Sequence, residues 1–293
     1  MHYNNTTGQR RTLYVTDMDG TLLDLYSRVS PESASMIHRL SREGALITVA
    51  TARTPATVVP LMRDCHTFVP YVTMTGAALW NPVDGKYGEV VLMPDDTAAR
   101  VREVIESFGL HPFIYTITPD NRLLAAYHNG PMNRAERKFV EERTGLALKR
   151  FHLDNPEGMA PFLPRTILYF AIGDAEATSA AAEALTRMGG CAVSSYMDNT
   201  VPGMGILEVF ASGIDKGAVV TRLASRLGAD RIVAFGDNLN DLPLLAVADV
   251  PVAVGNALPE VKAAAEVVIG TNDTDAVARF IESDFMTDCY AKN

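Results

Sequence analysis

At 293 residues, 47% of them apolar and 21% charged, the chain has the make-up of a globular protein with one large domain or two ordinary ones. A net charge of −9 speaks against nucleic acid and against an anionic membrane surface as partners, since both recruit basic stripes. Three cysteines set far apart, Cys65, Cys191 and Cys289, and six histidines without ligand spacing leave no disulfide framework and no zinc site, as in a reducing compartment.

No apolar run is long enough to span a bilayer, and Met1 to Arg11 is polar without the apolar stretch of a signal peptide. A cytoplasmic protein with a short frayed tail is expected. The first element is a buried strand, Leu13 to Thr16, short, apolar and β-branched. It runs into Asp17-Met18-Asp19-Gly20-Thr21-Leu22, two carboxylates one residue apart followed by a glycine that permits backbone geometry a Cβ forbids. Ser30-Pro31 opens a helix, with Ser at N-cap and Pro at N1. Met36, Ile37 and Leu40 repeat at helical spacing, and Gly44 ends the element. Ala45 to Ala50 reads as a second buried strand, ending in Thr51-Ala52-Arg53 with a helix opening near Pro55. Phe68 to Met74 reads as a third, ending in Thr75-Gly76-Ala77. This alternation predicts a parallel α/β sheet with right-handed crossovers.

The rhythm then changes. Asn81 to Lys86 is a turn cluster, Tyr87 to Met93 a strand, and Asp95 to Gly109 a helix with acids in its first turn. Phe113 to Ile117 and Leu123 to Tyr127 flank Thr118-Pro119-Asp120-Asn121 as a hairpin. A polar helix spans Asn133 to Arg143, a loop Asp154 to Met159, a strand Ile167 to Ile172, an Ala-rich helix Ala175 to Met188, and strands Ala192 to Ser195 and Ile206 to Phe210. The mixed set predicts an inserted α+β module over 84–206. The first rhythm returns with a helix over Lys216 to Leu227, N-capped by Asp215, and a strand over Ile232 to Phe235. That strand ends in Gly236-Asp237-Asn238-Leu239-Asn240-Asp241. A short helix, strands Val250 to Val254 and Val267 to Ile269, and a helix over Thr274 to Glu282 complete the chain. The expected fold is therefore α/β, a doubly wound, Rossmann-like parallel sheet built from 1–83 and 207–293, interrupted by the insert.

In such sheets the ligand crevice lies outside the carboxyl ends of the strands. Asp17, Asp19, Thr51, Arg53, Asp237, Asn240 and Asp241 all follow strands, and Lys216 opens a helix. An Asp-Gly turn would use Gly20 and Asp19 but has no need of Asp17. The N–H of Met18, between the two carboxylates, is placed to meet an anion. A turn with an N-cap would use two or three residues of Gly236 to Asp241, and the five polar or glycyl positions there exceed that need. Lys216 opposes the helix dipole, which costs a few tenths of a kcal/mol unless an anion compensates; a solvated surface lysine is the plain alternative. Arg53 is open between reaching a substrate and tying its loop by an ion pair.

Asp17-Met18-Asp19-Gly20-Thr21-Leu22 resembles the first motif of the haloacid dehalogenase phosphatases, and Gly236 to Asp241 the fourth. Thr51-Ala52-Arg53 is similar to the second motif, with Ala52 where many relatives of the Cof-type branch have Gly; Lys216 matches the third. The motifs occur in order, and the insert has the place and length of the Cof-type cap. The resemblance implies a nucleophile at Asp17, a general acid–base at Asp19, and a phosphate site at Met18, Thr51, Ala52, Lys216 and Asn240, where Asn240 holds the phosphate or the nucleophile. It also implies Mg²⁺ on the carboxylates of Asp17 and Asp237 and the backbone carbonyl of Asp19, with Asp241 bonding metal waters or orienting Asp237. Asn238 stays unassigned.

On that basis the expected activity is Mg²⁺-dependent hydrolysis of small phosphomonoesters, sugar phosphates or similar metabolites, through an aspartyl phosphate, with the insert closing over the site. A phosphotransferase or phosphomutase on the same fold is the alternative. A non-catalytic phospho-receiver also uses Asp, Mg²⁺, Thr and Lys, but it has no use for Asp19 or the insert. The oligomeric state stays open, with a monomer favoured.

Overall fold

The computed structural model describes residues 11–198 and 201–290, so the expected frayed tail ahead of Arg11 lies outside the described residues. The chain divides into two units, one formed by 1–84 and 215–293, the other by 85–214.

The first unit begins with β1 (Thr12–Thr16), α1 (Pro31–Arg42), β2 (Leu46–Val49), α2 (Pro55–Leu61), β3 (Tyr71–Thr73) and β4 (Ala78–Asn81). The second unit contains β5 (Lys86–Val90), α3 (Asp95–Ser107), β6 (Phe113–Ile117), β7 (Leu124–His128), α4 (Arg134–Arg143), β8 (Lys149–Leu153), α5 (Pro156–Met159), β9 (Thr166–Asp174), α6 (Ala175–Met188), β10 (Cys191–Met197) and β11 (Met204–Ala211). The first unit resumes with α7 (Lys216–Leu227), β12 (Arg231–Gly236), α8 (Leu242–Ala246), β13 (Val250–Ala253), α9 (Pro259–Ala264), β14 (Val267–Val268) and α10 (Ala276–Tyr290).

In the first unit the sheet order is β14-β13-β12-β1-β2, all parallel, and a parallel bridge from Ala50 to Val72 brings β3 beside β2. Counted along this parallel sheet alone, with β3 as its third strand and β12 as its fourth, this is the doubly wound order in which the winding reverses between the first strand and the fourth. Here that reversal falls between β1 and β12, so the crevice opens where Asp17 and Asp237 leave the sheet. β1 is paired on both edges and all five of its residues are buried, as in a parallel sheet covered on both faces, which accounts for its uninterrupted apolar reading. Ser30 caps α1 by accepting from Ser33 N at 2.9 Å, and Ile37 and Leu40 are buried against the sheet side. The helices pair, α1 with α10 and α7 with α8.

The second unit is a six-stranded sheet, β10-β11-β9-β6-β7-β8, antiparallel except for the β7–β8 pair, with α3 and α6 packed together and against it. The expected boundary at 206/207 falls inside β11. That strand's ladders to β9 and β10 hold it in the second sheet, and the unit runs on to Ile214.

Three elements carry no readable local signal. β4 is four residues with no alternation, β8 is a largely polar edge strand, and α9 is too short for a periodic signal. The loop expected over Asp154 to Met159 contains the single turn α5. Cys65 and Cys191 carry free thiols. Among the described residues no helix is long and apolar enough to cross a membrane.

Candidate active site

β1 delivers Asp17 to the crevice and anchors it, since Asp17 N donates to Phe235 O of β12 at 3.0 Å. Met18 is fully buried, and its carbonyl accepts from Leu23 N at 2.8 Å, closing the turn over Met18–Leu22. Gly20 sits at φ +75°, and a Cβ there would lie 2.4 Å from Asp237 Oδ2. Only glycine lets this turn lie against the carboxylate from β12. Thr21 Oγ1 donates to Asp237 Oδ1 at 2.9 Å from the same turn.

Lys216 stands in the first turn of α7, whose N-cap Asp215 accepts from Ala218 N at 2.7 Å. Gly217 lets α7 approach α8 closely, since a Cβ there would be 2.1 Å from the Pro243 carbonyl oxygen. The lysine is wholly buried, and its Nζ donates to Asp17 Oδ1 and to Asp241 Oδ1, each at 2.6 Å. The surface-lysine alternative is therefore excluded. The two carboxylates offset both the dipole penalty and the cost of burying an ammonium. Asp241, equally buried, accepts from Asp237 N at 3.0 Å and Asn238 N at 3.1 Å through Oδ2, so it orients the backbone that carries Asp237.

Asp17, Asp237 and Asp241 each offer a carboxylate oxygen within 4.8 Å of the others. Three carboxylates face one ammonium, and the imbalance registers in their protonation. Burial pushes Asp17 up to about 7, with the Lys216 ammonium pulling down and Asp241 adding to the rise. Burial, opposed by the Thr21 hydrogen bond and assisted by Asp241, pushes Asp237 up to about 6. For Lys216 burial acts downward, but Asp17 and Asp241 outweigh it and hold it above the ordinary lysine range. A hard cation on this all-oxygen donor set would offset the repulsion, so the residues present fit a metal ion.

A pH dependence follows. Asp17 at about 7, Asp237 at about 6 and the buried Glu208 at about 7 all stand above their ordinary values. Below the ordinary carboxylate range both states are protonated. Above it the unfolded chain releases protons that the folded state keeps, so stability is lost as pH rises through the folded values. The buried Lys149, lowered to about 7, reverses the slope only above that point. Thermal melts in excess EDTA should give a lower Tm at about pH 7 than at about pH 5, and added metal should recover part of the loss. A Tm that rises over this interval contradicts the assignment.

Asp19 takes a different position. Its side chain, 55% exposed, is held by Arg53, with Nε to Oδ2 at 2.7 Å and Nη2 to Oδ1 at 2.5 Å. Arg53 thus forms an ion pair, but with Asp19 rather than within its own loop. Asp19 does not bring its carboxylate into the acidic cluster. Thr51 is buried at the end of β2, and its Oγ1 accepts from Arg53 N at 3.1 Å, leaving the hydroxyl proton to donate elsewhere. Ala52 is not among the residues with positive φ, so alanine is unstrained at this position. Asn240 lies in the turn Leu239–Asp241 with an exposed side chain, two residues past Asn238, whose Oδ1 accepts from Leu239 N at 2.7 Å. Sequence reasoning missed Thr21 and the partner of Arg53. Thr21 had a signal, a hydroxyl following a turn glycine, whereas nothing local to Arg53 announces Asp19.

The family model for haloacid dehalogenase-like hydrolases matches residues 14–281. The chain is 25% identical over 286 residues to 5-amino-6-(5-phospho-D-ribitylamino)uracil phosphatase YitU of Bacillus subtilis (strain 168), covering 93% of this chain and 97% of that one. It is 24% identical over 273 residues to pyridoxal phosphate phosphatase YbhA of Escherichia coli (strain K12), covering 91% and 96%. Among solved structures, the subclass IIB sugar phosphatase BT4131 superposes with a TM-score of 0.70 at 19% identity, covering 94% of this chain and 99% of that one, which is a likeness of fold.

Proposed function

The chain belongs to the haloacid dehalogenase-like hydrolases, in the Cof-type branch, and is a phosphatase of that family; from there we propose that it hydrolyses small phosphomonoesters with Mg²⁺ through an aspartyl phosphate on Asp17. The observation that carries the proposal is the buried Lys216 ammonium bridging Asp17 and Asp241 beside Asp237, at the reversal point of the sheet.

We assign Mg²⁺ to the carboxylates of Asp17 and Asp237 and the backbone carbonyl of Asp19, with Asp241 behind them. Bound there, the ion neutralises charge on the phosphoryl oxygens. Lys216 pulls Asp17 toward its ionised form, which the bound ion would complete, and adds its own charge toward the phosphate. The Thr51 hydroxyl, the N–H groups of Met18 and Ala52, and Asn240 take the remaining oxygens. Asp17 attacks phosphorus in line, the bond to the ester oxygen breaks, and Asp19 gives its proton to that oxygen. Asp19 then takes a proton from water, whose oxygen attacks phosphorus. Inorganic phosphate leaves and Asp17 is restored. In this scheme Asp19 exchanges its Arg53 partner for the leaving group. The unit formed by 85–214 is read as the inserted cap, and its residues as the source of substrate choice. The phosphorylated uracil derivative and pyridoxal phosphate for which the two relatives are named support phosphorylated small metabolites as the class.

The test is a panel of phosphorylated metabolites and an aryl phosphate, read as inorganic phosphate released without any acceptor. Release that stops in excess EDTA and returns with Mg²⁺ is expected. Full activity in EDTA refutes the metal, and release only when a sugar acceptor is supplied favours the phosphotransferase alternative.

A further inference from the structure

The turn that carries Asp19, Gly20 and Thr21 makes no sheet ladder along its length, yet its carbonyls are gripped from two loops remote in sequence. Asn256 Nδ2 donates to Gly20 O at 2.7 Å. Asn272 Nδ2 donates to Leu23 O at 2.7 Å. The two asparagines are joined, Asn272 N donating to Asn256 Oδ1 at 3.0 Å. Each end of the Asn256 amide thus has one partner, which fixes its orientation. The loops that carry the pair are themselves tied, Gly255 N donating to Gly270 O at 3.0 Å and Lys262 Nζ to Gly255 O at 2.6 Å.

Resting on the functional reading above, we propose that Asn256, backed by Asn272, is a positioning residue that acts through Gly20 and Thr21 on the Asp237 carboxylate. The route is short. Gly20 has no room for a Cβ against Asp237 Oδ2, and Thr21 Oγ1 holds Asp237 Oδ1. A shift of the Gly20 carbonyl therefore moves both contacts of the carboxylate. The segment carrying Asn256 also holds Asp237 directly, Leu258 N donating to Asp237 O at 2.9 Å. One loop after β13 sets the distance between the turn after β1 and the carboxylate after β12. Asn256 is itself exposed and fills no core space, so its removal bears on register more than on packing.

The variants are Asn256→Ala and Asn256→Asp. The second keeps the acceptor toward Asn272 N and removes the donor to Gly20 O. Partners standing behind metal ligands typically govern about 10- to 100-fold in affinity or activity. Both variants should weaken Mn²⁺ binding by about that factor, measured by electron paramagnetic resonance of the free ion. They should lower kcat similarly with KM within about threefold, and leave Tm close to wild type. In a double-mutant cycle Thr21→Val should be non-additive with Asn256→Ala. Thr186→Ala, whose hydroxyl donates to Ala182 O within α6 of the other unit, should be additive. Wild-type Mn²⁺ affinity in both Asn256 variants overturns the proposal, as does a Tm loss that accounts for the whole effect. Mn²⁺ binding does not depend on turnover. If the wild-type protein hydrolyses no phosphomonoester, the functional reading fails and the Mn²⁺ comparison still decides the role of Asn256.

Discussion

Asp17→Asn should remove turnover with every phosphomonoester, a fall of at least about 10⁴-fold, since no covalent intermediate can form without the carboxylate. The protein should stay folded. Burial already disfavours the charged form of Asp17, so a neutral isostere relieves repulsion with Asp237 and Asp241 in the metal-free state. Asp19→Asn should behave differently. Its backbone carbonyl is retained, and its side chain lies outside the acidic cluster, on Arg53. An aryl phosphate with a low-pKa phenol needs little protonation, so the first step survives in part. Water activation is lost, typically about 10²- to 10⁴-fold for a general base. The phosphoenzyme should therefore accumulate in Asp19→Asn, seen as added phosphate mass on acid-quenched protein, and be absent in Asp17→Asn. Label on the Asp17 variant with normal turnover in the Asp19 variant would mean that the two roles are reversed.

Lys216→Met should damage both stability and activity. The ammonium is the shared partner of Asp17 Oδ1 and Asp241 Oδ1, and none of the three side chains has appreciable solvent contact. Removing it leaves buried carboxylates without a counter-charge, a change that costs about 3–5 kcal/mol when one partner of a buried pair is lost. Without the ammonium the folded-state value of Asp17 moves further up, so the loss deepens as pH rises toward and past about 7. Denaturant unfolding at about pH 5 and about pH 7 should give the larger deficit at the higher value, and phosphate release should be lost at both. Stability equal to wild type at both would mean that the buried bridge contributes nothing.

The residues proposed for the chemistry announce themselves through local signals. An apolar run ending in Asp17 and Asp19, a second ending in Asp237 and Asp241, and the alternation of strand and helix around them are local patterns of period, turn and cap. The caps at Ser30 and Asp215 were legible for the same reason, because each bonds a backbone N–H three residues on. Which of them meet depends on contacts distant in sequence. Lys216 and Asp17 are 199 positions apart, Thr21 and Asp237 216, Asn256 and Gly20 236. Those meetings follow from strand order, with β12 laid beside β1, and no local period encodes strand order. Arg53 illustrates the limit. Its own neighbours left a substrate and an ion pair equally open, and the choice of Asp19 came from β2 lying next to β1 in parallel register. The unread strands β4 and β8 and the placement of β11 have the same cause. A short strand is stabilised mainly by the ladder it joins, and its partner lies elsewhere in the chain.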